Sequence, residues 1–599
     1  MAHTCWPATT RGLNLYDENE NLRRALKRAA PDLLARREAD LRSLGEFAGG
    51  KLDAAADYSD RIHPPVLTRE LTDPVHPGTR RGRVHLNDRY LDCQQETYKR
   101  GFLATVLDPV KPEPHLYAFL AQMIGADVPW GCPFAMTHPD AIAIARYAPA
   151  CAPEIRPAVQ ALLQELSRTD GQTKTGATWV TESHSGSDAG NTATEAVPQA
   201  DGTHRLYGVK WFTSNAGAGI ALTLARIKGQ GDGARGLGLY LVPSHIDQDW
   251  QIENEYEVTH LKEKLGTRAL ATGEIRLDGA LAYELVPPPQ GLKAMMEVLG
   301  CSRVHNAMAA AGTMHRALME VMCWAEHRKP FGKPLLERPM IQKSIIDMNA
   351  EWMAGSAMAI EAAISFDQAV SGSEDDRIWM RIVTALAKYK TAVQAESVTN
   401  AAKNIFAAAG YVEDYPVTRI NRDAQVLTVW EGPKNVQALE LMRMICRREP
   451  GDAVFMKRLR AIAQGLPDDP MIVDKSNLDM RLLYLENALE QLRARTGDDD
   501  NTADQVADEF LDIMSDVLSY ALLLHEAAWE MTNEQDMKKL LVARRYYDLT
   551  FERKLIPGFQ PSVLQAQFEK LSRGLPIPRE SVTALQGLDD SFFAVGLTI

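Results

Sequence analysis

Long apolar runs are missing from this sequence. None approaches the roughly 18 uncharged residues a helix needs to cross a bilayer. The opening segment MAHTCWPATTRGLNLYDENENL holds no apolar stretch of signal-peptide length. Cysteine is sparse as well. The seven stand at positions 5, 93, 132, 151, 301, 323 and 446, with no CxxC pair and no Cys/His cluster along the chain. A disulfide framework or a sequence-local zinc site is therefore not expected, and no metal ligand is assigned. An excess of basic charge is also absent. The net charge of −13 at pH 7 opposes a phosphate backbone, so nucleic acid is not the expected partner. Internal repeats and low-complexity tracts are not found. The expectation is a soluble, cytoplasmic protein with no membrane span.

What is present suits a large folded chain. Apolar residues make up 45 % and charged residues 24 % of 599 residues, more than one core can use. The texture changes along the chain. Residues 1–165 read as helices broken by loops. Within them, 61–88 carries Pro64, Pro65, Pro74, Pro77 and Gly78 and reads as an irregular connection. Helical patterning returns over 90–123 and 139–167. Residues 170–286 have period two, with short β-branched or apolar runs at 177–181, 204–213, 220–227, 236–242 and 274–277. Asp201-Gly202 and the loop 229–236 mark two hairpins. Such closely spaced strands predict an antiparallel sheet or small barrel. Residues 290–447 are helical again, with long amphipathic stretches at 292–326, 333–367, 374–409 and 435–448. Residues 450–599 form an additional helical domain, with Leu478, Leu482, Leu485, Leu489 and Leu492 on one helix face.

Five segments, in order, carry chemistry. They are Thr181-Glu182-Ser183-His184-Ser185-Gly186-Ser187-Asp188, Gly208-Val209-Lys210-Trp211-Phe212-Thr213-Ser214-Asn215, Lys264-Leu265-Gly266-Thr267-Arg268, Arg328-Lys329-Pro330-Phe331-Gly332-Lys333, and Arg422-Asp423-Ala424 with Glu431-Gly432 beyond it. Together, over about residues 90–445, they resemble the FAD-dependent acyl-CoA dehydrogenase family, closest to its AidB-like branch. The resemblance implies a mainly α fold: a helical N-terminal domain, a barrel-like central β-domain and a C-terminal four-helix bundle, with the helical tail added. It implies FAD between the β-domain and the helical domain, and a homodimer or homotetramer.

The activity it implies is α,β-dehydrogenation of an acyl-CoA. The α-proton of a thioester is weakly acidic, so a positioned carboxylate must take it while a hydride leaves the β-carbon for the flavin. Glu431 is the implied base. Next to Trp430 and Val429 it would be partly desolvated, which raises a carboxylate pKa. Read without the family, Glu431 is a carboxylate favoured by the dipole at the start of the following helix. Thr181 and Ser214 are the implied flavin hydrogen-bonders, Phe212 the residue covering the ring, and Gly186 and Ser187 the phosphate contacts. Phe212 otherwise reads as a strand core residue. Arg328 and Phe331 would reach the FAD of a neighbouring subunit. Asn404, Ala408, Gly410 and Asn435 complete the cofactor set, and Ser187, Arg303 and Gly432 the substrate set. The implied electron acceptor is an electron-transfer flavoprotein.

The sequence departs from the family pattern in places. Pro433 stands where a Thr usually follows Glu-Gly. Ala407-Ala408 replaces a glycine pair, and Pro339 replaces a Gln. Ser302, before Arg303, stands where some members carry the base, and it has no carboxylate. Of the histidines, His184 beside the first motif is singled out, read mainly as a surface or pocket-lining residue. Two other functions are compatible with the same fold: an AidB-like stress-response flavoprotein that binds DNA or a partner, and a flavin oxidase or monooxygenase.

Overall fold

A computed structural model describes residues 5–71, 80–227, 229–231, 233–448, 450–469, 474–496, 500–552 and 567–582. The chain forms two compact units. One comprises residues 51–122 and 127–306; the other comprises 1–50, 123–126 and 307–599. No helix among the described residues is long and apolar enough to cross a membrane.

The first unit carries the strands. β1 (Val66–Leu71) and β2 (Arg80–His85) form an antiparallel ribbon, followed by β3 (Gly176–Trp179), β4 (Glu195–Pro198), β5 (His204–Ser214), β6 (Ile220–Ile227), β7 (Leu237–Pro243), β8 (Tyr256–Leu261) and β9 (Thr272–Val286). β6, β4, β5, β9 and β7 pair in turn, and β7 pairs back to β6, so the ring closes. Closure removes the unpaired edges that an open sheet would expose. Trp179, Leu206, Tyr240, Ile275 and Leu277 pack inside it. The sheet is not purely antiparallel, as the strand pattern suggested: β3 and β4 each run parallel to β6. Strand alternation reports which face is buried and carries no record of direction. Both expected hairpins are found: β4 pairs antiparallel with β5 across Gly202 (φ +82°), and β6 pairs antiparallel with β7.

The irregular connection expected over 61–88 is corrected by β1 and β2; Pro74, Pro77 and Gly78 lie outside the described residues. The ribbon is polar, so its sequence gives no apolar alternation. It docks on β8 instead. Gly82 lies against the Val258 carbonyl with no room for a Cβ. Arg81 and Arg83 pair with Glu255 and Glu253.

Helices of this unit include Asp88–Lys99, Val128–Tyr147 and Arg156–Leu166. The Val128–Tyr147 helix starts eleven residues before the expected Pro139 and runs through both Pro133 and Pro139. Each proline removes the N–H that would serve the carbonyl four residues back. Tertiary donors replace both: Tyr90 Oη donates to Pro129 O (3.2 Å), and Ser302 Oγ donates to Ala135 O (3.2 Å). Asp127 caps the start by accepting from the Trp130 N–H (3.0 Å).

The second unit is helical. Pro339–Ser371 and Glu374–Phe406 pack along each other, and Ala507–Asn533 and Lys538–Phe551 pack on them. The expected helix from Lys333 begins instead at Pro339, where proline at the first turn costs no hydrogen bond. The N-terminal helix Glu20–Ala29 is tied to the tail by Arg24, which is buried and meets Glu20 (2.7 Å), Glu530 (2.8 Å) and Asp536 (2.7 Å).

Candidate functional site

The expected site residues divide between the two units. Thr181, Gly186, Ser187, Phe212, Ser214 and Arg303 belong to the strand-bearing unit. Arg328, Phe331, Asn404, Ala408, Gly410, Glu431, Gly432 and Asn435 belong to the helical one.

In the strand-bearing unit the first two motifs are one structure. Lys210 points into the barrel with no exposed surface, and its Nζ donates to Glu182 Oε1 (2.8 Å) and Leu224 O (3.0 Å). Glu182 also accepts from Thr194 Oγ1 (2.6 Å), the Ala193 N–H (2.8 Å) and the Thr194 N–H (3.2 Å). Burial alone would raise the Glu182 carboxyl; Lys210 and these donors outweigh it and hold its pKa below the ordinary value. Burial likewise lowers the Lys210 pKa, which Glu182 only partly offsets. The Trp211 N–H donates to Thr181 O (2.8 Å), fixing the start of the turn to β5. The result is a rigid base below an exposed rim of Ser183, His184, Gly186, Ser187 and Asp188.

Strand alternation then decides Phe212. Thr213 faces inward and donates to Gly273 O (2.8 Å), so Phe212 faces outward and is 52 % exposed. It is not a core residue. Lys262 Nζ sits 3.3 Å from the Trp211 ring centroid and 5.0 Å from that of Phe212. Ser214 Oγ lies 3.4 Å from Thr272 Oγ1. His184 is half-exposed beside Glu182 (3.7 Å). Arg303 is buried on the Gly291–His327 helix.

In the helical unit, Glu431 sits on a turn that its own backbone makes costly. Its φ is +58° and that of Gly432 is +97°, two left-handed residues in succession. A Cβ on Gly432 would meet Gln437 Nε2 at 2.8 Å. Two buried donors on separate helices hold the turn. Lys388 Nζ donates to Gly432 O (2.6 Å) and Thr428 O (3.3 Å). Gln437 Nε2 donates to Glu431 O (3.0 Å) and Gly432 O (3.1 Å). The Glu431 residue itself is half-buried. Lys388 and Gln437 escaped the sequence reading; a lysine on an apolar helix face was the available signal.

Pro433 is the N-cap of helix Lys434–Met442, and no side chain caps it, where a Thr would have supplied a hydroxyl. That helix is held by Lys434, which pairs with Asp508 (3.3 Å) and Asp512 (3.2 Å) of the tail. Ala407 ends the Glu374–Phe406 helix at φ +54°, ψ −129°, a conformation that suits glycine far better than alanine. Asn404, Ala407 and Ala408 are exposed. Gly410 is buried, and its missing Cβ makes room for the Lys403 carbonyl, a packing reason for the glycine. Phe331 is 97 % exposed at φ +55°, and Arg328 is exposed near Trp324. Taken unit by unit, the residues fit a flavin dinucleotide. One unit offers hydroxyls and an outward aromatic ring; the other offers an exposed Arg, Phe and Asn.

A further cluster lies outside these motifs. His115 Nδ1 is 3.0 Å from His138 Nε2, and His138 Nδ1 is 2.8 Å from His305 Nε2. Cys301 Sγ lies 3.9 Å from His138 Nδ1. Burial lowers the His138 pKa well below its ordinary value, that of His305 to about 3 and that of His115 to about 4. The expectation of no Cys/His cluster holds along the chain and fails in space. The i, i+4 pair Cys301/His305 was its one sequence trace.

Family models match two parts of the chain: acyl-CoA dehydrogenase, middle domain, over residues 177–280, and acyl-CoA dehydrogenase, C-terminal domain, over 289–446. The sequence is 30 % identical over 399 residues to acyl-CoA dehydrogenase family member 11 of Caenorhabditis elegans, covering 65 % of this chain and 64 % of that protein. It is 27 % identical over 266 residues to the putative acyl-CoA dehydrogenase AidB of Escherichia coli, covering 44 % of this chain and 47 % of that one. The chain thus spans less than two thirds of either relative. The crystal structure of Caenorhabditis elegans ACDH-11 in complex with C11-CoA superposes with a TM-score of 0.83 at 23 % identity, over 100 % of this chain and 97 % of that one.

Proposed function

Because this chain belongs to the acyl-CoA dehydrogenase family, whose cofactor is FAD, we propose that it oxidises an acyl-CoA thioester to the trans-2-enoyl-CoA with Glu431 as the base. The observation that carries the reading is the Glu431-Gly432 turn. Two left-handed residues are held in place by two buried side chains, and backbone strain of this kind persists where a side chain must be presented in one orientation.

FAD, when bound, supplies the acceptor for the β-hydride. The protein's part is to position and to move a proton. Lys388 and Gln437 lock the turn through its carbonyls and leave the carboxylate to meet the α-carbon proton. Thr181, Ser214 and Phe212 hold and cover the flavin ring, with Lys210 and Glu182 fixing their strand and turn. Gly186 and Ser187 serve phosphate, Arg328, Phe331, Asn404, Ala408 and Asn435 the rest of the cofactor, and Arg303 and Gly432 the thioester. Gly410 completes the cofactor set, and its missing Cβ also makes room for the Lys403 carbonyl. The exposed Arg328 and Phe331 suit a homodimer or homotetramer, and an electron-transfer flavoprotein is the proposed acceptor.

Anaerobic titration with a panel of acyl-CoAs, following flavin absorbance, tests the reading. Bleaching by one class of thioester that is lost in Glu431→Gln is the expected result. A protein that holds FAD and is reduced by no acyl-CoA would sink the proposal. Salt-sensitive DNA retention would then point to the AidB-like binding role, and oxygen consumption without an added acceptor to an oxidase.

A further inference from the structure

Burying a polar group costs free energy unless it finds a partner. The strand-bearing unit nevertheless buries two imidazoles and a thiol in one place, on helices Val128–Tyr147 and Gly291–His327, with a third, half-buried imidazole beside them at the start of His115–Gly125. His138 and His305 have no exposed surface, and Cys301 has 2 %. The rings of Phe119 and Phe134 pack edge-on against them, with Phe119 4.6 Å and Phe134 5.9 Å from the His305 ring. An apolar pocket of this kind would be filled at least as well by Leu or Met. One ligating atom from each of His138, Cys301 and His305 falls within 4.8 Å of the others.

We propose that His138, Cys301 and His305 bind one zinc-class divalent cation that staples the Val128–Tyr147 helix to the Gly291–His327 helix. Cys301 and His305 are four residues apart on one helix, so both face the same side. The donor set of one thiolate and two imidazoles selects Zn²⁺ or Co²⁺ over Mg²⁺ or Ca²⁺, which need oxygen ligands. Cys301 ligates as thiolate, so its proton leaves on binding; both histidines ligate as neutral rings. His115 lies against the outer side of the His138 ring. In the tautomer the site requires, His138 Nε2 donates to His115 Nδ1 (3.0 Å) and His138 Nδ1 turns its lone pair to the metal. Three protein ligands leave the fourth tetrahedral position for water. The proposal does not rest on the flavin chemistry proposed above, although Arg303 of the thioester set stands between Cys301 and His305 on the same helix.

The full-length protein, purified without chelator, is assayed for bound metal by mass spectrometry. About one Zn²⁺ per chain is expected. Cys301→Ser and His305→Gln should each lower retention at least about tenfold, and His184→Gln should leave it unchanged. Protein produced with Co²⁺ should show intense tetrahedral bands to the red of flavin absorption, with the thiolate contribution lost in Cys301→Ser. Wild-type protein stripped by chelator supplies a test that no variant's folding can confuse: its melting temperature should fall, and Zn²⁺ but not Mg²⁺ should restore it. Purified protein that neither carries nor takes up Zn²⁺ or Co²⁺, or metal content that survives both substitutions, would overturn the proposal.

Discussion

Replacing Lys210 by Met should damage the strand-bearing unit far more than its volume change suggests. The two side chains are similar in length, so packing is nearly conserved. What is lost is the buried cation that the Glu182 carboxylate meets within the barrel, at 2.8 Å. Breaking a buried pair by removing one partner costs about 3–5 kcal/mol, because the remaining charge stays desolvated. The three other donors to Glu182, from Thr194 Oγ1 and the Ala193 and Thr194 N–H groups, keep the cost toward the lower end. In a melting experiment this corresponds to a drop on the order of 10 °C. The double variant Lys210→Met/Glu182→Gln removes the uncompensated charge and should recover about half of it. Scanning calorimetry of wild type, both single variants and the double variant completes the cycle. If Lys210→Met melts within about 2 °C of wild type, the pair does not hold the turn as argued.

The other predictions concern the helical unit. Ala407→Gly should raise stability by about 1 kcal/mol in urea unfolding, because relief of the strained φ +54°, ψ −129° backbone exceeds the entropy a glycine adds to the unfolded chain. Lys388→Met should lower kcat about 100-fold while flavin content per chain is kept, since it releases the carbonyls that set the Glu431 turn; unchanged turnover would remove Lys388 from the site. His315 is buried beside Trp352, and burial holds its pKa at about 3. The folded ring stays neutral while the unfolded one takes up a proton, so its share of stability is full above about pH 6.5 and is lost as pH falls toward 3. At about pH 5 the loss is about 2 kcal/mol, and the stability difference between wild type and His315→Phe should change by that amount between pH 7 and 5.

Sequence alone was enough for the order of the helical and strand-rich regions, though not for the polar β1–β2 ribbon, and for the residues of the motifs. Period two over β5 and β6, turn residues at Gly202 and helical spacing beyond Gln290 are local properties, and local geometry follows them. The motif carrying Glu431 was legible because its residues are neighbours in the chain. Tertiary structure decided everything that depends on partners far apart in sequence. Strand direction against β6 leaves no mark on alternation. The helix through Pro133 and Pro139 survives only because Tyr90 and Ser302 donate to the carbonyls those prolines abandon. Lys388 and Gln437 reach the Glu431 turn from two other points on the chain, one of them over forty residues away. His138 meets His305 across 167 residues, a distance over which no spacing rule operates. Periodicity records which face of an element is buried; what that face is buried against is settled by packing, and there the chemistry of this protein is assembled.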